Sequence, residues 1–553
     1  MAYTVGGVPI SLVAGFVGLV WLVRKKLIAI YVTPIVALRG PPSPSILYGN
    51  FQQLGKVADP TLLQKWMDDY GPTFLARLFI LMPCLWTADP RAINHIITQS
   101  GKYFKPRDGR KQAAQILGES LIIAEGESHK RMRRVMNPAF GPAQVRELTS
   151  IFVEKATELR EYWKSAMAKE GGTLRVNVIE DLSKTTLDVI GLAGFDHNLD
   201  SLKPGSERKE LNAAIRHLFK KPPNMTVFRV LLDYAPWLNL FPDERLRNLI
   251  EAQKVMRRVA RQLIEDKKAA IKASSEDDEH VGRGSVHGRD LLTLLIKANM
   301  ASDIPVDQRL SDDEVLSRET RSFCDAQYIP SFLLAGHETT SVATTWALYA
   351  LSESPRIQRK LREELLAVPT ETPTMEDLHA LPYLDQFVHE TLRLYPPVTN
   401  TMRAANEDDV IPLGEPIIDK KGNVLHEIPV AKGTRIVIPI LAVHRSKAIW
   451  GEDALEFKPE RWENLPETVS SVPGVWGHLL TFLGGPHGCI GYRFSVTELK
   501  ALLFALVREF EFELAVPHGD IVPMGLLVQR PVVRNELNKG SQMPMIIRPY
   551  QPS

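Results

Sequence analysis

The sequence has few cysteines and almost no net charge. Cys84, Cys324 and Cys489 are its only cysteines, too few and too dispersed for a disulfide framework or a Cys-x-x-Cys zinc site. Lys and Arg number 67 against 65 Asp and Glu, and a net charge of +2 indicates no nucleic-acid or polyanion partner. No Gly-x-Gly-x-x-Gly follows a predicted strand, so no nicotinamide or flavin module is indicated. Because the three cysteines do not form a disulfide framework, the catalytic part is expected to work in a reducing compartment.

Long apolar runs are also scarce, except at the N-terminus. Gly7–Val23 carries no charge and is followed by Arg24, Lys25 and Lys26. This run is close to the shortest that can span a bilayer, about 17 residues. The basic residues follow the run and no small-residue cleavage site comes after it, so the pattern is not that of a signal peptide. Residues 1–26 are predicted to be a membrane anchor, with the rest of the chain on the cytoplasmic side. A buried core helix is the alternative.

The remainder divides into a short connection and one large domain. Residues 27–44 are predicted to be an interfacial segment and a Pro-rich hinge, and residues 45–553 a helical domain with a minor sheet. Long amphipathic patterns predict helices over Glu147–Lys169, Glu207–Lys220, Glu244–Ala273 and Asp325–Ser352. Strand patterns lie at Pro72–Trp86, at Thr401–Pro439 and near the C-terminus. The sequon at Asn224 is expected to stay unglycosylated on a cytosolic face.

Cys489 lies in a glycine-rich turn that precedes a helical pattern, Ile490–Glu511. Backbone N–H groups at a helix start favour negative charge, which biases the sulfur towards thiolate. A thiolate placed there is either a nucleophile or a metal ligand. A nucleophile would need His487 as its base, but two residues apart in a tight turn the two side chains cannot face each other productively, and no third group orients the histidine.

Glu338 and Thr339 lie within a helical apolar pattern, in the run Ala335-Gly-His-Glu-Thr-Thr340. Glycine and hydroxyl residues lower helix propensity, and hydroxyls that bond back to the preceding turn can bend a helix and make room for a ligand. A metalloprotease motif is excluded because the second histidine, at i+4, is Ser341 here. A helix with a few satisfied polar groups is the alternative.

Two further motifs contain arginine. Glu390 and Arg393, at i and i+3, share a helix face, and Arg461 is expected to complete a buried carboxylate–guanidinium network with a structural role. The run Gly126–Arg134 contains His129 and Arg133. It is either a solvated helix face or a clamp for an anionic cofactor group.

Taken in order, these motifs resemble one family, the cytochrome P-450 heme-thiolate monooxygenases, and most closely its eukaryotic, endoplasmic-reticulum-anchored fungal members. The family's F-x-x-G-x-R-x-C-x-G loop matches Phe482, Gly485, Cys489 and Gly491. Its acid–alcohol helix motif matches Ala335–Thr340, and its E-x-x-R and P-E-R-W motifs match Glu390/Arg393 and Pro459–Trp462. Each match alone is weak, but their joint occurrence in order is specific. The resemblance implies a large, mainly helical cytochrome P-450 fold with a minor β-rich region.

The resemblance also implies roles for these residues. Cys489 would ligate the iron of heme b, with Phe482 shielding the sulfur and glycines letting the backbone approach the porphyrin. Thr339 would hold water beside bound dioxygen, and Glu338 would relay protons. Electrons would come from NADPH through a membrane-bound cytochrome reductase, or from a donor of the cytochrome b type.

The sequence departs from the family pattern in three places. The loop arginine is His487 here, and the helix tryptophan of W-x-x-x-R is His129. Both positions normally bind heme propionates, so propionate binding is expected to depend more on Arg133 and Arg403, because histidine is charged only conditionally near neutral pH. About ten extra polar residues, around Arg318–Ala326, precede the acid–alcohol motif and are expected to be solvated or looped out.

The segments that line the substrate pocket in the family are largely apolar here, which suits a lipophilic ligand. By analogy with fungal members of the family, the expected substrate is a terpenoid. A membrane-dipping stretch is expected at Val227–Pro242. The competing functions are a heme-binding sensor and a non-oxygenating isomerase or dehydratase of the same fold. The intact Glu338-Thr339 pair favours oxygenation over both. The segments expected to line the pocket are Ala113–Ile123, Phe219–Phe241, Phe332–Thr339, Val398–Met402 and Met524–Val528.

Overall fold

The structure, a computed structural model, describes most of the chain. The continuous stretches are 33–55, 62–118, 120–203, 328–525 and 528–551; residues 4, 5, 8, 9, 18, 21, 247, 251, 254, 255, 258, 262, 290, 291 and 293 are described singly or in pairs. The described chain forms two compact units, 1–104 with 401–439, and 105–400 with 440–553.

The first unit contains a five-stranded sheet and two hairpins. The sheet order is β3-β4-β10-β7-β5, in which β10 pairs parallel with β4 and every other neighbouring pair is antiparallel. Hairpins are formed by β1 with β2 and by β8 with β9. The strands are β1 Thr4–Val5, β2 Val8–Pro9, β3 Thr73–Arg77, β4 Pro83–Thr87, β5 Tyr103–Phe104, β7 Thr401–Ala405, β8 Asp409–Ile418, β9 Val424–Val430 and β10 Arg435–Ile438, and the helices are α1 Phe51–Gly55, α2 Leu62–Tyr70 and α3 Pro90–Thr98.

The second unit holds the long helices. Its core is made where α7 packs on α8 and α6 packs on α14, through buried apolar faces. Gly336 of α8 is required at the α7–α8 contact, since a Cβ there would lie 2.9 Å from the Ile190 side chain. The helices are α4 Arg107–Leu117, α5 Gly126–Met136, α6 Pro142–Lys169, α7 Val178–Phe195, α8 Tyr328–Glu353, α9 Pro355–Leu366, α10 Met375–His379, α11 Pro382–Leu394, α12 Ile440–His444, α13 Lys447–Trp450 and α14 Tyr492–Val507.

Two small β elements complete this unit. One is a three-stranded sheet of order β11-β14-β6, and the other is the β12–β13 hairpin, in which Met524 pairs with Arg530. Gly525 turns the chain after β12 with φ +139°, and a Cβ there would lie 2.1 Å from the Val528 carbonyl oxygen. Only glycine fits this turn. The strands are β6 Leu174–Asn177, β11 Phe510–Leu514, β12 Ile521–Met524, β13 Arg530–Val533 and β14 Pro544–Pro549.

The predicted fold class, mainly helical with a minor sheet, is confirmed. The pattern over Glu147–Lys169 lies within α6, and Asp325–Ser352 largely coincides with α8. The strand patterns at Pro72–Trp86 and Thr401–Pro439 also form strands. Glu207–Lys220, most of Glu244–Ala273, Asn224 and Arg318–Ala326 lie outside the described residues.

The N-terminal anchor stays a prediction. Most of Gly7–Val23 lies outside the described residues, and Val8–Pro9 at its start is paired with Thr4–Val5 as a strand. Within the part of the chain that the structure describes, no helix is both long and apolar enough to cross a bilayer.

The Glu390 carboxylate is fully buried and lies in a dense network. Arg393 donates two hydrogen bonds of 2.8 Å to its two oxygens, and Arg461 Nε lies 3.4 Å from Oε1. The backbone N–H of Lys458 and the indole of Trp462 add bonds of 2.9 and 3.1 Å. The structure thus brings together the three residues that the sequence assigns to a structural network.

The same arginine also holds the surrounding backbone. Arg393 donates to the carbonyl oxygens of His444, Ala454 and Glu456 at 2.6–3.0 Å. His444 Nε2 in turn accepts the N–H of Leu480 at 2.8 Å. The network therefore extends from α11 to the residues just before the cysteine loop.

Replacing Arg393 with alanine is expected to lower the free energy of unfolding by about 3–5 kcal/mol, because it leaves Glu390 buried without its main partner. Denaturant unfolding followed by circular dichroism measures this. Lys539→Ala is the control, since Lys539 pairs with Glu536 at an exposed site and its loss should leave the unfolding midpoint nearly unchanged. Equal effects of the two substitutions would contradict a special role for the buried network.

Candidate active site

The cysteine loop, Phe482–Gly491, precedes α14. Its backbone is closed on itself: the Cys489 N–H donates to the Phe482 carbonyl at 2.8 Å, and the Gly488 N–H donates to the Gly485 carbonyl at 3.1 Å. Gly485 has φ +65°, which favours glycine. Cys489 retains an exposed face within this rigid loop. The loop therefore presents one sulfur at the start of a helix.

The pKa of Cys489 is set by effects that oppose one another. Although Cys489 keeps an exposed face, the protein around its sulfur displaces water and so raises the Cys489 pKa above its ordinary value. The Gly491 N–H and the Arg133 charge oppose that rise without overcoming it. The bias towards thiolate expected from the helix start is therefore present but is outweighed, because desolvation penalises the charged form. A cation bound at the sulfur is what would hold it as thiolate.

Arg133 lies beside the loop. Its guanidinium donates to the Gly488 carbonyl oxygen and, through Nε, to Asn137 Oδ1 at 2.9 Å. Arg133 thus braces the backbone next to Cys489 from α5. Its predicted propionate contact stays a prediction.

His129 and His487 lie together in a polar cluster that also contains Lys105 and Glu125. The two imidazole rings are 3.9 Å apart, centre to centre. Glu125 Oε2 lies 3.2 Å from His487 Nε2, and Lys105 Nζ lies 3.3 Å from His487 Nδ1 and 3.4 Å from Glu125 Oε1. The structure therefore brings together both histidines that replace the family residues, and it adds a lysine and a glutamate.

Charges in this polar cluster differ from residue to residue. Burial, reinforced by the electrostatic effects of His487, Lys105 and Arg133, lowers the His129 pKa to about 3, so this ring is neutral. Burial by itself would raise the Glu125 pKa, but the His487 hydrogen bond and the Lys105 charge outweigh it and lower the pKa to about 2. His129 can therefore donate a hydrogen bond to an anion but supplies no charge.

The remaining cofactor residues are placed as follows. Phe482 is buried and packs edge-on against Trp476, with ring centres 5.6 Å apart. A Cβ on Gly491 would be in ordinary contact with the Phe140 ring at 3.7 Å. Arg403 lies in the first unit, where it is buried and donates to Thr401 Oγ1 at 2.8 Å and to the Met402 carbonyl at 2.9 Å.

Helix α8 carries Glu338 and Thr339 on different faces. Ala335 is exposed and Thr339 partly exposed, and the Thr339 hydroxyl donates to the Ala335 carbonyl at 2.7 Å. Glu338 is only 1% exposed, and both of its carboxylate oxygens accept hydrogen bonds from Arg530 of β13. Helix α8 is continuous through this motif, the Thr339 hydroxyl bonds back to the preceding turn, and Gly336 packs against Ile190 of α7.

A second acid lies beneath this motif. Glu498 of α14 is fully buried, and within the described chain neither of its carboxylate oxygens nor the nearby Thr340 hydroxyl has a hydrogen-bond partner. Burial raises the Glu498 pKa well above its ordinary value, and Thr340 opposes this only in part. Burial therefore favours the protonated form of Glu498 compared with an exposed glutamate.

Helix α8 and the cysteine loop pack against the same apolar cluster. Phe332 lies 5.8 Å from Phe140, ring centre to ring centre, and both Phe332 and Ile490 pack against a cluster formed by Ala124, Met132, Val135 and Met136. The residues next to Cys489 and those one turn before Ala335 thus share one apolar cluster.

Among the expected pocket residues, Leu333 is buried in the core, whereas Ile122 is 43% exposed. Phe219–Phe241, Val227–Pro242 and Leu526 lie outside the described residues.

Sequence reasoning missed Lys105, Glu125, Glu498 and Arg530. Glu498 and Arg530 carried a signal, since each is a charged residue within an apolar helix or strand pattern. Lys105 and Glu125 carried none, because their significance depends on where His487 lies.

Leu483 adopts φ +55° and ψ −170°, close to a region that essentially only glycine occupies. We expect Leu483→Gly to be more stable than Leu483→Ala by about 1–3 kcal/mol, because both lose the leucine packing and only glycine relieves the backbone strain. Thermal and denaturant unfolding of the two variants measure this difference. Alanine more stable than glycine, the ordinary order, would contradict strain at Leu483.

The chain is similar to known fungal proteins over nearly its whole length. The chain is 49% identical over 542 residues to cytochrome P450 monooxygenase 128 of Postia placenta, covering 97% of each protein. It is 48% identical over 552 residues to cytochrome P450 monooxygenase 205 of the same fungus, covering 100% of this chain and 99% of the relative. It is 34% identical over 523 residues to cytochrome P450 monooxygenase claQ of Ampulloclitocybe clavipes, covering 92% of each protein. Residues 39–532 match the family model described as Cytochrome P450, and the chain belongs to the cytochrome P450 family.

Proposed function

We propose that this heme-thiolate monooxygenase hydroxylates or epoxidises a lipophilic small molecule. For hydroxylation, a substrate RH, dioxygen, NADPH and one proton give ROH, water and NADP⁺. The observation that carries the proposal is Cys489, presented with an exposed face at the start of α14 in a loop closed by its own backbone bonds. The polar cluster supports it, because it gathers hydrogen-bond donors beside that loop.

The residues present fit heme b. Cysteine thiolate is a known axial ligand of heme iron, and Cys489 has its sulfur accessible with the Gly491 N–H directed to it. Arg133, His129, His487 and Lys105 are the donors that would hold the propionates, with Arg403 as a further candidate. Bound heme supplies the activation of dioxygen and the transfer of one oxygen atom to the substrate.

The chain's own residues then control water and protons. Thr339, on the partly exposed side of α8, would hold a water molecule by its hydroxyl. Glu338, its neighbour, is the acid that would resupply the proton. Phe482 packs with Trp476 and Tyr492 beside the cysteine loop, which would keep water from the sulfur.

The substrate and partners follow from chemistry and analogy. Apolar residues dominate the segments expected to line the pocket, and the relatives are fungal monooxygenases, so terpenoids are the first substrate class to test. Electrons would come from an NADPH-cytochrome reductase, or from a cytochrome b-type donor. A single-pass anchor at Gly7–Val23 would hold the protein in the endoplasmic reticulum membrane, with the catalytic part cytosolic.

Reduced protein with carbon monoxide is expected to show the red-shifted Soret band of thiolate ligation. Cys489→Ala should remove this band, because alanine carries no sulfur to ligate the iron. Cys84→Ala is the matched control, since Cys84 is buried in β4, and the band should persist. A wild-type spectrum without heme, or a band that survives Cys489→Ala, would overturn the assignment.

Thr339→Ala is expected to lower the yield of product per NADPH by at least about tenfold, with hydrogen peroxide in its place, because the hydroxyl no longer orders the proton donors. Parallel assays of NADPH, product and peroxide with a reconstituted reductase measure this coupling. Thr344→Ala is the control, since Thr344 makes the same back-bond, 2.8 Å to the Thr340 carbonyl, from a buried position. Unchanged coupling in Thr339→Ala would remove Thr339 from the mechanism.

A further inference from the structure

Glu338 is held by one arginine. Its carboxylate is almost completely buried and accepts two parallel hydrogen bonds, from Nε and Nη2 of Arg530. The other ionisable neighbour is His337, whose Nε2 lies 3.7 Å from Glu338 Oε2. Burial lowers the His337 pKa, so this ring is neutral and does not compete for the carboxylate. Among the described residues, the charge that opposes Glu338 is therefore that of Arg530.

The position of Arg530 is set by the backbone around it. The preceding residue, Gln529, donates its N–H to the Pro397 carbonyl at 2.8 Å, and its own carbonyl accepts the Trp346 indole at 2.9 Å. Arg530 itself is paired with Met524 in the β12–β13 ladder. Because the hairpin is anchored to both α8 and the segment after α11, the guanidinium is presented from a fixed point.

This arrangement separates the acid from its alcohol. Successive residues of an α-helix point about 100° apart, since a turn takes about 3.6 residues. Thr339 and Ala335 lie on the more exposed side of α8, whereas Glu338 is turned into the protein towards β13. A guanidinium that donates two parallel hydrogen bonds is a strong partner for a carboxylate. A proton carried by Glu338 therefore reaches the side of Thr339 only when the carboxylate exchanges a bond to Arg530 for a bond to water.

We propose that Arg530 is a positioning residue for Glu338, which sets the orientation of the proton-delivering carboxylate and its release towards Thr339. This inference rests on the proposed function, because it assigns a partner to the acid of that site. It also gives the β12–β13 hairpin a role in proton delivery, in addition to any contact with substrate.

The first test measures coupling, the yield of product per NADPH consumed, in the heme-loaded protein. Arg530→Gln is expected to lower the yield of product per NADPH by about tenfold, the lower end of the effect of removing an orienting partner. The lost reducing equivalents should appear as hydrogen peroxide, through O2, NADPH and a proton giving H2O2 and NADP⁺. The KM for substrate and the thiolate Soret band should not change. Arg530→Lys should recover part of the yield, because an ammonium keeps the charge but not the two-bond geometry.

The matched control is Arg534→Gln. Arg534 follows in the same region of the chain, is exposed, and makes a single long contact of 3.5 Å with the Gly519 carbonyl. The Arg534→Gln substitution removes the same charge as Arg530→Gln without affecting a partner of Glu338. Coupling that falls equally in both variants, or in neither, would overturn the proposal.

The second test does not depend on activity. A thermal double-mutant cycle compares Arg530→Gln alone, Glu338→Gln alone and the double variant, with and without heme. Arg530→Gln should lower the melting temperature in the wild-type background, and clearly less in the Glu338→Gln background, since the unpaired buried carboxylate is then absent. Additive effects would show that the two side chains do not interact, and would overturn the proposal even if Arg530→Gln proved too unstable for assay.

The two tests also separate this inference from the proposed function. A wild-type protein without the thiolate Soret band defeats the proposed function, and with it any role of Arg530 in oxygen chemistry, whatever the thermal cycle shows. A normal Soret band with unchanged coupling in Arg530→Gln defeats only the role of Arg530.

Discussion

The burial of Glu390 is the constraint on which the cysteine loop depends. A carboxylate removed from water must be neutralised and have its oxygens satisfied, and five donor groups from two segments of the chain do so here. Arg393 then carries the same network to the His444 carbonyl, and the His444 ring accepts the Leu480 N–H. Thr481 adds a bond of 2.7 Å to the Leu392 carbonyl. Residues 480–482 are thereby fixed, and the Phe482 carbonyl holds the N–H of Cys489.

This chain of contacts explains why a structural network matters to a catalytic residue. Cys489 keeps an exposed face, and a metal ligand must be held within a fraction of an ångström to be useful. On one side, the cysteine loop is positioned by hydrogen bonds to His444 of α12 and Leu392 of α11. On the other side, it is positioned by Arg133, which donates to the Gly488 carbonyl. Strain at Leu483 is tolerated because the surrounding bonds determine the loop conformation.

The two buried acids near α8 show how environment decides role. Glu338 and Glu498 are both almost completely removed from solvent, yet Glu338 has a guanidinium partner and Glu498 has none among the described residues. The first is therefore held in a defined direction by two hydrogen bonds, whereas burial raises the pKa of the second, which lies beside the Thr340 hydroxyl. The difference between the two acids lies in the partner that the fold supplies.

Local patterns in the sequence were enough for several features. The helical periodicity over Glu147–Lys169, the i,i+3 pair Glu390/Arg393 and the glycine turn around Cys489 are each set by residues close in the chain. The partners of Glu338 and His487 were not readable in this way. Arg530 lies 192 positions from Glu338, and Lys105 lies 382 positions from His487. No periodicity relates such pairs.

The direction of the Cys489 pKa was also beyond the sequence, because the loop geometry predicts the Gly491 N–H but not how much water the surrounding protein displaces from the sulfur. By itself, then, the sequence determined the family, the helical class and which residues could do the chemistry, since these depend on residue type and local spacing. Only the tertiary structure decided which charge faces which: it placed Glu125 against His487 and Arg530 against Glu338. Electrostatic partners are chosen by distance in space and by the loss of water, and neither can be read from position along the chain.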